Sequence, residues 1–158
     1  MILQHSREAK HPFNTARIAQ LCLEQCTTVA ISDNEEDETL ADLIGASGEK
    51  LVLVYPGADS RPLQELDVTP ATSLLFIDAS WRKSRRFLLQ SPSLQNLPRF
   101  ALPKAGVSRY RIRREPRADY YSTLEAIATA LQMLDDTDVA NMLEVMDWMI
   151  ARQLAAMR

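Results

Sequence analysis

A chain of 158 residues, 46% hydrophobic and 25% charged, can bury a full core and reads as a single domain over 1–158. No apolar stretch reaches bilayer-spanning length, and Met1-Ile2-Leu3-Gln4-His5 lacks the regions of a secretion signal; a membrane partner is excluded and a cytoplasmic location expected. The formal charge of -3 hides an asymmetry: five of the six residues 33–38 are acidic, whereas 82–86 and 109–117 are strongly basic, and a local basic surface is what holds phosphates.

The short apolar start Ile2-Leu3 opens a strand and runs into a polar loop, His5 to Pro12. Asn14 is a good N-cap, and apolar spacing from Ala16 to Leu23 predicts a helix over Thr15 to Gln25. Cys22 and Cys26 stand one helical turn apart and read as buried core thiols. With His5 and His11 they make a two-Cys, two-His set, but not at zinc-finger spacing, and no metal is expected. Thr27 to Ile31 is a β-branched strand, the acidic run a solvated segment, and Thr39 to Ile44 a short helix stopped by Gly45 and Gly48.

Leu51 to Tyr55 and Ser73 to Ile77 are apolar at consecutive positions, as strands of a parallel sheet are when both faces are covered. Each ends in a special loop. Pro56-Gly57 suits a tight turn, where glycine lets a ligand approach the backbone, although a plain turn has the same composition. Asp78 stands at the carboxyl end of its strand, where open α/β sheets place their ligand crevices. Ala79-Ser80 turn the chain into a helix from Trp81 to Leu89, with Trp81, Ser84 and Leu88 on one side and Arg82, Lys83, Arg85 and Arg86 facing out. The alternative is that Asp78 or Ser80 merely caps that helix, Trp81 is core and the cations are a solvated face.

Ser91-Pro92-Ser93 breaks the helix, and Arg99 to Pro103 reads as another short strand. In Ser108-Arg109-Tyr110-Arg111-Ile112-Arg113, alternation puts Arg109, Arg111 and Arg113 on one face. Such a row suits a polyanion such as an RNA backbone, or protects a sheet edge. Ser122 and Glu125 form a capping box ahead of the apolar positions Leu124, Ile127, Ala128, Leu131 and Leu134, which explains Glu125 structurally. The spare N–H groups of that helix start also suit an anion, leaving Ser122 and Thr123 a second reading. From Asp138 a last helix carries a stripe of Val139, Leu143, Met146, Ile150 and Leu154.

Five short motifs, in order, carry a resemblance: His5-Ser6-Arg7-Glu8 with Asn14-Thr15-Ala16-Arg17; Tyr55-Pro56-Gly57; Asp78-Ala79-Ser80-Trp81; Tyr110-Arg111-Ile112-Arg113 with Pro116; and Ser122-Thr123-Leu124-Glu125-Ala126. Over roughly residues 2 to 135 the chain resembles the DTW-domain family of tRNA-uridine aminocarboxypropyltransferases. Two features depart from the family pattern. The name-giving Asp-Thr-Trp stands here as Asp78-Ala79-Ser80-Trp81, and the chain begins almost at the His motif, without the cysteine-rich, zinc-binding segment of many members.

The resemblance implies a SPOUT-like α/β fold, a mostly parallel sheet flanked by helices with a C-terminal trefoil knot that holds S-adenosylmethionine. It implies transfer of the 3-amino-3-carboxypropyl group to N3 of a uridine in tRNA, releasing methylthioadenosine; the sequence leaves both a monomer and a homodimer open. On that footing Asp78 is the base for N3–H or a ligand for the donor's positive charge. Tyr55, Pro56, Gly57, Trp81, Leu102, Pro103, Ser122, Thr123 and Glu125 join it as the donor slot, and Arg7, Arg17, Lys83, Arg85, Arg86, Arg109, Arg111 and Arg113 meet RNA phosphates. The rival readings are an RNA methyltransferase on the same fold and an RNA-binding module without catalysis.

Overall fold

The structure, a computed structural model, describes residues 1–12, 14–32, 37–46, 50–104, 108–109 and 121–156. In chain order these form β1 (Ile2–His5), α1 (Ser6–Ala9), α2 (Thr15–Cys22), β2 (Thr28–Ile31), α3 (Asp37–Ala46), β3 (Lys50–Val54), β4 (Arg61–Pro62) and a 3-10 turn (Leu63–Glu65). There follow β5 (Thr72–Asp78), α4 (Trp81–Gln90), α5 (Pro92–Gln95), β6 (Arg99–Ala101), α6 (Thr123–Asp135) and α7 (Ala140–Ala156). The strands make one six-stranded sheet in the order β2-β1-β5-β3-β6-β4, and every pairing is parallel. The α/β expectation is met.

The consecutive apolar runs have the cause inferred for them. Ile2, Val52, Val54, Phe76 and Phe100 point to a core shared with α2, α6 and α7, and Leu3, Leu51, Leu53 and Leu75 to a second core shared with α3, α4 and α5. Because side chains alternate along a strand, a strand covered on both faces must be apolar at every position. Leu53 and Leu75 are fully buried, each contributing about 1.5–3 kcal/mol of transfer free energy.

Several boundaries shift. The polar loop predicted from His5 is in part a helical turn: His5 closes β1 and caps α1, its Nδ1 accepting from the Arg7 amide at 3.0 Å. Helix α2 is capped by Asn14, as expected, but stops at Cys22 rather than Gln25. Helix α3 runs through Gly45 to Ala46, since one glycine weakens a helix by only about 1 kcal/mol relative to alanine. Ser91 ends α4 and caps α5, and Pro92 starts α5 in the first turn, where a missing N–H costs nothing. In α7 the buried stripe is Met142, Met146 and Ile150, following Val139, while Leu154 is 40% exposed. The strand predicted through Arg111 and Arg113 lies outside the described residues.

The cysteine expectation is corrected. Cys22 is exposed, and Cys26 is half-buried beyond the helix, packed against the core that the sheet shares with α2, α6 and α7. Burial pushes the Cys26 thiol above its ordinary value, outweighing the opposing charge of the N-terminal amine. A higher value means less thiolate at any given pH. With a disulfide reagent at pH 8, Cys22 is expected to react in a fast phase and Cys26 in a slow one that accelerates as pH rises; Cys22→Ser should leave only the slow phase.

Candidate active site at the carboxyl edge of the sheet

Residues Gln4 of β1 and Asp78 of β5 are register partners at the carboxyl ends of neighbouring strands. Both share the parity of Ile2 and Phe76, so they emerge on the face covered by α2 and α6. Gln4 Nε2 donates to Asp78 Oδ2 at 2.8 Å and to Asn14 Oδ1 at 2.9 Å. Asn14 Oδ1 also accepts from the Arg17 amide at 3.1 Å. That amide can only donate, which fixes the Asn14 oxygen as an acceptor and the Gln4 nitrogen as the donor facing it. Thr123 Oγ1, on the first residue of α6, donates to Asp78 Oδ1 at 2.6 Å.

Both oxygens of Asp78 therefore accept hydrogen bonds from uncharged donors, and the residue is 9% exposed. It lies beside the start of α6, where the helix dipole favours negative charge. Ser80 is the N-cap of α4 but makes no side-chain cap hydrogen bond, and each oxygen of Asp78 accepts from a residue of another element. The carboxylate is held by two other segments of the chain, β1 through Gln4 and α6 through Thr123, an arrangement suited to proton abstraction or to holding a cation.

On the other face of the sheet, His5 is 1% exposed, its ring 5.9 Å from that of Phe87 and its Nε2 2.7 Å from Lys83 Nζ. Tyr55, just past β3, approaches Ser84 through its hydroxyl at 3.2 Å, and its ring centroid lies 6.2 Å from that of Trp81. Tyr55 and Trp81 are both half-buried, and Pro56 and Gly57 are exposed. The loop closes on itself where Ser60 Oγ donates to the Tyr55 carbonyl at 2.7 Å. Leu102 is half-buried and Pro103 exposed at the end of β6, next to β3.

The predicted residues thus divide. Asp78 and Thr123 are in direct contact, Tyr55 and Trp81 pair, and Lys83 Nζ lies on His5, which the exposed Arg7 meets only through its backbone amide. Ser122 is buried and caps α6 with Glu125, whose oxygens accept from the Ser108 hydroxyl (2.8 Å) and from the amides of Arg109 (2.7 Å) and Ser122 (2.9 Å). Arg17 and Arg85 are exposed. Arg86 donates to Gln90 at 2.9 Å, and the Arg109 guanidinium pairs with Asp147 of α7 at 2.9 Å. Arg111 and Arg113 lie outside the described residues. Gln4 was missed. A glutamine at a strand end carries no signal until strand order shows which side chain stands beside it.

A parallel, doubly covered sheet with a fixed carboxylate, an aromatic pair and a Pro-Gly turn at its carboxyl edge defines an α/β protein whose candidate site lies at that edge, where open α/β sheets place their ligands. A family model described as the DTW domain matches residues 1–154, and the chain belongs to that family. It is 34% identical over 139 residues to tRNA-uridine aminocarboxypropyltransferase 2 of Drosophila melanogaster, covering 85% of this chain and 55% of the relative. The similarly named proteins of Mus musculus and Macaca fascicularis are 35% and 31% identical, again over 85% of this chain but 47% of theirs. The chain spans about half the length of the curated relatives it matches. No solved structure matches it.

Proposed function

We propose that the chain transfers the 3-amino-3-carboxypropyl group of S-adenosylmethionine to N3 of a uridine in tRNA. The observation that carries the reading is the carboxylate of Asp78, fixed by Gln4 and Thr123 at the carboxyl edge of a parallel sheet; family membership and the relatives' names support it. The residues present fit the donor: a fixed anion suits its positive charge, and the half-buried Tyr55 and Trp81 offer aromatic faces to adenine. When bound, the donor supplies an activated carbon next to a sulfonium.

Asp78 takes the proton from uridine N3. The freed nitrogen pair forms the N–C bond as the C–S bond breaks, its electrons pass to sulfur, and methylthioadenosine leaves. Gln4 and Thr123 hold the acceptor oxygens still, so the proton is collected without reorganisation. Pro56, Gly57, Leu102, Pro103 and Ser122 line the donor slot, and Arg7, Arg17, Lys83, Arg85 and Arg86 serve the RNA. A C-terminal trefoil knot belongs to the same reading, supported by the family resemblance alone.

Orientation of the donor separates this chemistry from methyl transfer. Incubation with unmodified tRNA and donor labelled in turn on its carboxyl and methyl carbons is expected to put carboxyl label, and no methyl label, into RNA. Methyl label alone would make the chain a methyltransferase. Label from neither, with tRNA still bound, would make it a binding module.

A further inference from the structure

Among the described residues two buried side-chain polar atoms lack a hydrogen-bond partner, the Thr28 hydroxyl and Arg99 Nε, and only the second belongs to a charged group. Arg99, first residue of β6, buries its Nε without a hydrogen-bond partner, and its guanidinium makes no hydrogen bond or ion pair among the described residues. A buried donor left without a partner calls for an explanation. Arg99 is half-buried in an open cavity of 450 Å³ at the β4–β6 edge, which it lines with Asp59, Arg61, Gln95 and Phe100. Arg61 lies over the Phe100 ring, 5.3 Å from Cζ to centroid, and engages Glu65 through Nε at 3.2 Å. Above, Arg99 Nη1 is 3.5 Å from where a Gly57 side chain would begin, so the loop after β3 lies against the guanidinium.

We infer that this cavity is a phosphate subsite for the RNA strand, with Arg99 as its anchor and Arg61 at its mouth. The inference rests on the functional reading above, which gives neither residue a role. An unpartnered guanidinium asks for an oxyanion, and two are in play, the donor's carboxylate and the RNA backbone. Strand β6 lies two places from β5, about 10 Å across the sheet at the usual strand spacing, and Arg99 is level with Leu75, three residues before Asp78 and so on the opposite face. The donor's carboxylate is only three bonds from the reacting carbon, so a donor reacting at Asp78 keeps it near Asp78. The RNA backbone, in contrast, continues past a uridine held there, and a phosphate a few nucleotides along the strand can round the sheet edge to Arg99. Asp59 is the opposing charge on the rim and limits the affinity of the subsite.

The test measures binding of unmodified tRNA to the full chain from 0.05 to 0.3 M salt, with S-adenosylmethionine and inorganic phosphate titrated separately and melting temperature as the folding control. Arg99→Gln is expected to weaken tRNA binding about five- to tenfold at 0.1 M salt and to reduce the slope of log K against log salt by about one, the signature of one lost phosphate contact. Asp59→Asn should tighten tRNA binding, and donor affinity should stay within twofold in both. Unchanged tRNA affinity and slope in Arg99→Gln overturn the subsite while leaving the functional reading intact. So does a loss confined to the donor, or one confined to inorganic phosphate. Failure of the unaltered chain to bind tRNA overturns the functional reading and the subsite with it.

Discussion

Replacing Asp78 by Asn is expected to lower kcat for aminocarboxypropyl transfer by about 10²–10⁴, the usual contribution of a positioned general base, with the affinities for tRNA and donor kept within about threefold. The substitution changes few atoms but reverses the hydrogen bonding. Thr123 can still donate to an amide oxygen, while the new amide nitrogen confronts Gln4 Nε2, donor against donor, where the carboxylate accepted at 2.8 Å. Gln4 cannot turn its oxygen to the intruder without giving up Asn14. Gln4→Ala removes the support and keeps the base; misplacement on the order of 1 Å can cost about 10² in rate, so about 10- to 100-fold in kcat is expected. The two variants differ in pH dependence. A base works only when ionised, so transfer by the unaltered chain and by Gln4→Ala should climb with pH to a plateau, whereas Asp78→Asn should lack that limb. Were Asp78 instead a ligand for the donor's positive charge, Asp78→Asn would weaken donor binding more than tenfold and leave kcat at saturation nearly intact.

The sequence pattern and the structure agree where a single segment contains its own reason. Leu51 to Val54 and Leu74 to Ile77 are apolar without alternation because both faces of the sheet are covered, and that is a property of each strand by itself. The Ser122–Glu125 box is likewise local, with both reciprocal hydrogen bonds formed. What stayed hidden depends on which elements become neighbours. Gln4 and Arg99 gain meaning only from the strand order, which sets Gln4 beside Asp78 and Arg99 at the open edge. Spacing alone could not tell that Arg109 would pair with Asp147, far along the chain on α7, and not present its guanidinium freely. The cysteines were misread because helical periodicity marks a face without saying where the helix ends. Once α2 stops at Cys22, only Cys26 reaches the core.

Glu125→Ala should destabilise the fold by about 2–4 kcal/mol, lowering the melting temperature by roughly 5–15 °C for a chain of this length. Glu125 is 7% exposed and accepts three hydrogen bonds on two oxygens, one from the buried Ser122 amide and two from residues 108 and 109. Alanine deletes the reciprocal half of the capping box, worth about 1 kcal/mol by itself, and leaves a buried N–H without an acceptor, which costs about 1–3 kcal/mol more. Glu125→Gln keeps one acceptor oxygen and replaces the other by a donor, so it should lose roughly half as much. The damage should spread to the site by a defined route. Thr123, two residues before Glu125, donates to Asp78 from the first turn of α6, and a frayed first turn releases that oxygen. In Glu125→Ala assayed well below its melting point, kcat should therefore fall further than the folded fraction does. Equal losses of activity and of folded protein would mean that the cap supports the fold without supporting Asp78.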